Sequence, residues 1–195
     1  MPAKVQADLQ FFDPRTTHNH FTLDHFYDKA TDSYLSLCLF NLVPSCYACN
    51  SKFKGSGKLY DKDARNSSPS STEYSFHDDV TFKLLYHHRR INFKTVKDFN
   101  VELDFSKNTL SHEAYVTQLK IRGRYIFYKK EVLRLMQLKE KYPESKIQEM
   151  AKAVKMPVDE IRKQVYGSEL FESAYDYAPL IKYKRDIARN IKLIP

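Results

Sequence analysis

The chain has 195 residues and a formal net charge of +8, with 42% apolar and 29% charged residues. That is enough for one ordinary domain or two small ones, and too apolar for a disordered tail. Apolar runs stop at about four or five residues, as over 37–40, which excludes a bilayer span and predicts no membrane association. The opening MPAKVQADLQ lacks the apolar run of a secretory signal. Three cysteines, an odd number, make no disulfide framework, so a cytoplasmic, reducing location is expected.

Three parts follow one another. Residues 1–63 are rich in aromatics, His and Cys, without regular periodicity, and no acid stands between Asp32 and Asp61, where Lys52, Lys54 and Lys58 cluster. Residues 64–110 open on the polar loop ARNSSPSSTE and continue with short segments of β-forming residues at 80–85, 91–96 and 99–105. In the last of these, Phe99, Val101, Leu103 and Phe105 alternate with polar residues, the period of a half-buried strand. His87, His88, Arg89 and Arg90 form a second basic island, as compatible with an exposed strand edge as with phosphate contacts.

From 111 to 195 the period is helical. Tyr128, Val132, Leu135 and Met136 make one stripe, continuing from the aromatic cluster at 125–127. Ile147, Met150, Ala151 and Val154 make a second. Pro157 opens a third helix, with Val158, Ile161 and Val165 on one face and Gly167 as its stop. Pro179 opens a fourth, with Leu180, Ile187 and Ile191 inward and Lys182, Lys184, Arg185 and Arg189 left for solvent or a partner. This predicts an α+β chain with a helical C-terminal half. The same 85 residues hold eighteen Lys/Arg against eleven Asp/Glu, a surplus that points weakly towards a polyanion.

Chemistry concentrates at 21–57. Asp24-His25 comes first, then Asn41-Leu42 with Pro44 following, then Cys46-x-x-Cys49, then Asn50 with Lys52 and Lys54. Alone, a Cys-x-x-Cys is half a zinc site and an Asp-His pair is common. Together, at this spacing, they resemble the HNH, or ββα-metal, endonucleases. The likeness extends to a bacterial subfamily whose first motif runs Asp-His-Phe-Tyr-Pro-Lys, and loosely to its helical tail at 124–128, 141–145, 160–162 and 179–187.

The resemblance implies a small ββα-metal core at 1–63, a β-containing extension at 64–110 and a helical region at 111–195 able to dock a partner. It implies His25 as general base, Asp24 and Asn50 as ligands of Mg²⁺ or Mn²⁺, and Asn41 as the residue that fixes the intervening loop and the orientation of His25. Lys52, Lys54 and Lys58 would contact phosphates flanking the cut, and His87, Arg89 and Arg90 are further candidate contacts to nucleic acid, DNA or RNA. Phosphodiester hydrolysis needs those parts: an activated water, a cation on the phosphate and a donor for the leaving oxygen. Because successive strand residues point to opposite faces, Asp24 and His25 can share a site only at a strand end or bulge.

Relatives with a structural zinc carry a second Cys-x-x-Cys upstream, and residues 5–22 hold none. Cys46 and Cys49 are therefore expected as buried thiols more than zinc ligands, with His18 and His20 the one way to complete a set; Cys38 is expected in the core. Asp28 stands where the subfamily has Pro. Such nucleases are encoded beside ATPases in bacterial anti-phage modules of the Septu type, some tied to retrons, which implies a regulatory ATPase or other protein partner, with Tyr166, Phe171, Tyr175 and Tyr177 as candidate contacts. The alternative is a non-catalytic nucleic-acid- or protein-binding module that keeps the HNH shape.

Overall fold

A computed structural model of the protein describes residues 21–86, 94–172 and 180–194. It is mixed α+β, with seven α-helices and two small two-stranded antiparallel sheets among the described residues. The chain divides into two compact units between Tyr74 and Ser75. No helix among the described residues is long and apolar enough to cross a membrane.

The first unit is built on a hairpin. β1 (Phe21–His25) pairs antiparallel with β2 (Leu42–Cys46), Asp24 opposite Val43 and His25 opposite Leu42. Pro44, which has no N–H to donate, is tolerated because a two-stranded sheet consists of edges. After β2 the chain winds into a π-helix, Ala48–Lys54, ended by Gly55 at φ 56°, a left-handed conformation that costs glycine little. Cys46 Sγ accepts the Cys49 N–H at 3.4 Å and so caps the start of that turn.

The connection between the strands is long and irregular, with 3₁₀ turns at Ser33–Leu35 and Leu39–Asn41. Asn41, 3% exposed, ties it down: its Oδ1 accepts the Tyr27 N–H at 2.7 Å, and its Nδ2 donates to the carbonyls of Tyr27 and Leu35, both at 3.1 Å. Phe26, Tyr27 and Tyr60 pack edge to face and tilted behind it. The polar loop at 64–73 is present as expected, but its anchor is polar as well. The buried Asn66 accepts the Asp61 N–H at 2.7 Å and donates to the Leu59 carbonyl at 2.8 Å. Asn66→Ala would strand both groups, so it is expected to destabilise by about 1–3 kcal/mol, read by urea denaturation. A loss below about 0.5 kcal/mol would show the clip to be ornamental.

The apolar run at 37–40 corrects an expectation. Cys38 is only half-buried, and Leu37, Leu39 and Phe40 are exposed, because the 3₁₀ turns around them bury Asn41 instead.

In the second unit, a short helix α1 (Phe76–Asp79) leads into β3 (Val80–Tyr86), which pairs with β4 (Phe99–Phe105). Along β4 the alternation holds: Phe99 is buried, Val101, Leu103 and Phe105 half-buried, and Asn100, Glu102 and Asp104 exposed. The segment predicted at 91–96 is otherwise. Residues 91–93 lie outside the described residues, and Lys94 to Asp98 form a turn in which Asp98 Oδ2 accepts the Lys94 and Thr95 N–H groups.

Six helices follow: α2 (Thr109–Gln118), α3 (Ile121–Tyr125), α4 (Lys129–Lys141), α5 (Glu144–Val154), α6 (Val158–Tyr166) and α7 (Ile181–Asn190). Their inward stripes, Val132 and Leu135, Ile147 and Ala151, Ile161, and Ile187, meet Phe82, Leu84 and Phe99 of the sheet in one core. Each fully buried large aliphatic side chain there contributes roughly 1.5–3 kcal/mol. Pro157 caps α6 and Gly167, at φ 106°, ends it. Tyr166 lies in this core with Phe171 packed against it, while Tyr175 and Tyr177 lie outside the described residues. Val154 is corrected to an exposed position, as the last residue of its helix.

Arg185 is corrected too. Only 6% exposed, it turns inward to donate to the carbonyls of Glu169 and Glu172. Beside it Asp186 Oδ2 accepts the Phe82 N–H and a hydrogen bond from Lys182 Nζ, each at 3.0 Å, and Asn190 Oδ1 accepts the Leu84 N–H at 3.0 Å. α7 thus closes the outer edge of β3 with side chains, supplying the partners that a third strand would otherwise provide.

Asp79 gathers a second polar cluster. Its Oδ2 accepts from Ser75 Oγ at 2.5 Å, His112 Nε2 at 3.0 Å and Asn108 Nδ2 at 3.1 Å. Those donors, the Ser75 hydroxyl foremost and His112 next, hold the carboxyl down at about 2. A depressed carboxylate stabilises fully above its unfolded value near 4 and loses that contribution as pH falls towards 2. The stability of the wild type should therefore fall across that window more steeply than that of Asp79→Asn, as followed by thermal melts. Parallel curves for the two proteins would refute the assignment.

Candidate active site

Alternation on β1 puts the Thr22 and Asp24 side chains on one face and Leu23 and His25 on the other. The π-helix covers the Thr22 and Asp24 face. In an i→i+5 winding residues four apart share one face, so Asn50 and Lys54 descend together onto Thr22 and Asp24. Asn50 Nδ2 donates to Thr22 Oγ1 at 3.0 Å, and Lys54 Nζ donates to Asp24 Oδ1 at 2.5 Å.

Two oxygens are left open by this arrangement. The Thr22 hydroxyl donates to the Ser45 carbonyl at 3.1 Å, so its lone pairs must accept; that fixes Asn50 with its NH₂ towards Thr22 and its Oδ1 away. Asp24, 5% exposed, receives both the His25 N–H at 2.8 Å and Lys54 on Oδ1. Asp24 Oδ2 and Asn50 Oδ1 accept no hydrogen bond among the described residues. A carboxylate and an amide oxygen are hard donors, suited to Mg²⁺ or Mn²⁺ completed by water, and a cation already stands on the carboxylate.

His25 ends β1, still in register with Leu42 and without a bulge, so its side chain leaves the strand on the face opposite Asp24. Its Nε2 lies 3.0 Å from the Ser36 carbonyl. A carbonyl only accepts, so Nε2 carries the proton and the lone pair rests on Nδ1. Asn41 makes no bond to His25. It pins the Tyr27–Leu35 stretch on which Ser36 follows, and so acts on the imidazole through the loop.

Of the basic residues singled out in the sequence, Lys54 is withdrawn from the surface by Asp24, with 11% of its side chain exposed. Lys52 is exposed. Lys58 is exposed and lies 3.7 Å from Asp28, whose carboxyl is held below its ordinary value by the Ala30 backbone amide and by Lys58. Asp28 also bonds Thr31, so it belongs to the turn after β1, and among the described residues no hydrogen bond joins it to Asp24. His87, Arg89 and Arg90, like His18 and His20, lie outside the described residues. No three His, Cys, Asp or Glu side chains gather as a metal-holding group among the described residues, and Cys46 and Cys49 are half-buried and in no disulfide.

Thr22 and Ser36 escaped the sequence reading. A threonine on a strand and a serine acting through its backbone carbonyl carry no signal of their own. Comparison with known protein families, with curated proteins and with solved structures finds no match.

Proposed function

We propose that this protein is a metal-dependent endonuclease of the HNH type, hydrolysing phosphodiester bonds in nucleic acid, and that its first unit is the ββα-metal core. The observation that carries the reading is the pair of open oxygens, Asp24 Oδ2 and Asn50 Oδ1, brought to one side of a β-hairpin by residues 26 positions apart. The next residue along from Asp24 is an imidazole whose Nε2 faces the Ser36 carbonyl, which leaves Nδ1 as the nitrogen turned to other partners.

A Mg²⁺ or Mn²⁺ ion held by Asp24 and Asn50 would supply positive charge to the phosphate in the transition state. His25 stands at the end of β1, where a phosphate can reach round the strand from the open oxygens to the imidazole; there its Nδ1 would take the proton of the attacking water while Nε2 keeps its hydrogen bond to the Ser36 carbonyl. Thr22 keeps the Asn50 oxygen turned outward. Exposed Lys52 and Lys58 meet the backbone phosphates, a contact that positions a strand without reading its bases. Two ligands and a base grip a phosphate, not a sugar, so DNA and RNA are both admissible substrates.

Bacterial anti-phage defence, with a regulatory ATPase or other protein partner docked on the helical part, is the setting that the resemblance favours. Ile126, Phe127 and Leu110 are among the exposed apolar side chains of the second unit available to such a contact. The test is cleavage of plasmid DNA and of total tRNA by the purified protein with Mg²⁺, Mn²⁺ or EDTA. Cutting that requires the cation is the expected result. Tight binding of both polymers without cutting, in the presence of the co-purifying partner, would favour the non-catalytic module instead.

A further inference from the structure

Most ion pairs among the described residues are exposed on at least one side and contribute little. Lys54 and Asp24 are different: their side chains are 11% and 6% exposed. Two other buried pairs among the described residues are accounted for by the fold: Lys182 also donates to the His77 carbonyl while Asp186 closes the edge of β3, and His112 joins Ser75 and Asn108 around Asp79. In the Lys54–Asp24 pair an ammonium group is brought to a carboxylate whose second oxygen accepts no hydrogen bond among the described residues.

We propose that Lys54 is the resident cation of the Asp24 site, neutralising the carboxylate in the metal-free protein and giving way when a divalent ion binds. The inference rests on the metal-site reading of Asp24 and Asn50. Burial of a lone carboxylate is costly, and Lys54 removes that cost while no ion is bound. A dication on the same carboxylate would sit within a few ångströms of the ammonium, and like charges so close in a partly buried site repel strongly. Lys54 is the last residue of the π-helix and carries a long flexible stem, so its ammonium can swing out without unwinding the helix.

Displacement has a second consequence. The released ammonium is a free cation beside the metal site, where a nucleic-acid phosphate is the available anion. Metal and nucleic acid then each favour the same Lys54 position, and linkage makes each raise the affinity for the other. The site therefore loads its ion poorly until the substrate arrives, a safeguard for a nuclease that shares a compartment with its host's nucleic acid.

The experiment is calorimetric titration of the full chain with MnCl₂, without nucleic acid, for wild type, Lys54→Met, Lys54→Gln and Asp24→Asn. Lys54→Met and Lys54→Gln are expected to bind Mn²⁺ at least about tenfold more tightly than wild type, and Asp24→Asn to bind none. Equal or weaker binding by both Lys54 variants, with Asp24→Asn still inactive in binding, would overturn the exchange and leave the metal site standing. Binding that survives Asp24→Asn, or that is absent from every protein, would overturn both. Should the Lys54 variants not fold, wild type alone decides: acylation of lysines read by mass spectrometry should find Lys54 protected without Mn²⁺ and labelled with it, while Lys52 is labelled equally. Lys54 labelling unchanged at saturating Mn²⁺ would overturn the proposal.

Discussion

His25→Ala is expected to lower cation-dependent cleavage by roughly 10²–10⁴, the usual worth of a positioned general base. The imidazole is half-buried and makes one ring hydrogen bond, to the Ser36 carbonyl, so its removal should cost at most about 1.5 kcal/mol of stability. Mn²⁺ affinity should change little, because the two open oxygens lie on the other face of β1. The separation of these three readouts is the test. Cleavage that survives the substitution would remove His25 from the chemistry. Loss of cleavage together with loss of Mn²⁺ binding would place the imidazole among the ligands and leave the base to be found elsewhere.

Asp186→Ala is expected to destabilise the second unit by about 3–5 kcal/mol, the largest effect of any single change away from the candidate site. Three groups lose their arrangement at once. The buried Phe82 N–H is left without an acceptor, Lys182 without its carboxylate, and α7 without one of the two side chains that close the edge of β3. The urea midpoint should fall markedly while the slope of the transition stays the same. Asp186→Asn keeps an acceptor oxygen for Phe82 and should recover a good part of the loss. A midpoint within error of wild type for the alanine variant would show that water satisfies β3 as well as α7 does.

The periodic parts of this molecule were legible before any coordinates. The alternation over 99–105 became β4, Pro157 and Gly167 bracketed α6, and the stripes of Val132 and Leu135 and of Ile147 and Ala151 became core. Each of these rests on local rules, a period or a capping residue, that need no distant partner. Where the reading went astray, a distant or polar partner had decided. Arg185 looked like surplus surface charge and is buried because the carbonyls of Glu169 and Glu172 await it. Cys38 looked like core and is half-buried in a run that is otherwise exposed, while Asn41 satisfies three loop groups by turning its own side chain inward.

The candidate site divides in the same way. In the sequence, Asp24, His25, Asn41 and Asn50 stand out through the resemblance to the HNH endonucleases, which implies their roles as ligands, base and loop anchor. Only the tertiary structure decides how they stand. The hairpin register sends Asp24 and His25 to opposite faces, Thr22 turns the amide of Asn50, and Ser36 settles which nitrogen of His25 holds the proton. Lys54 shows the difference most plainly. In sequence it is one more basic residue in an acid-free stretch, and its meaning changes once the winding of the π-helix sets its ammonium on a buried carboxylate thirty residues earlier. A charge is visible in a sequence, but its counter-charge is chosen by the fold.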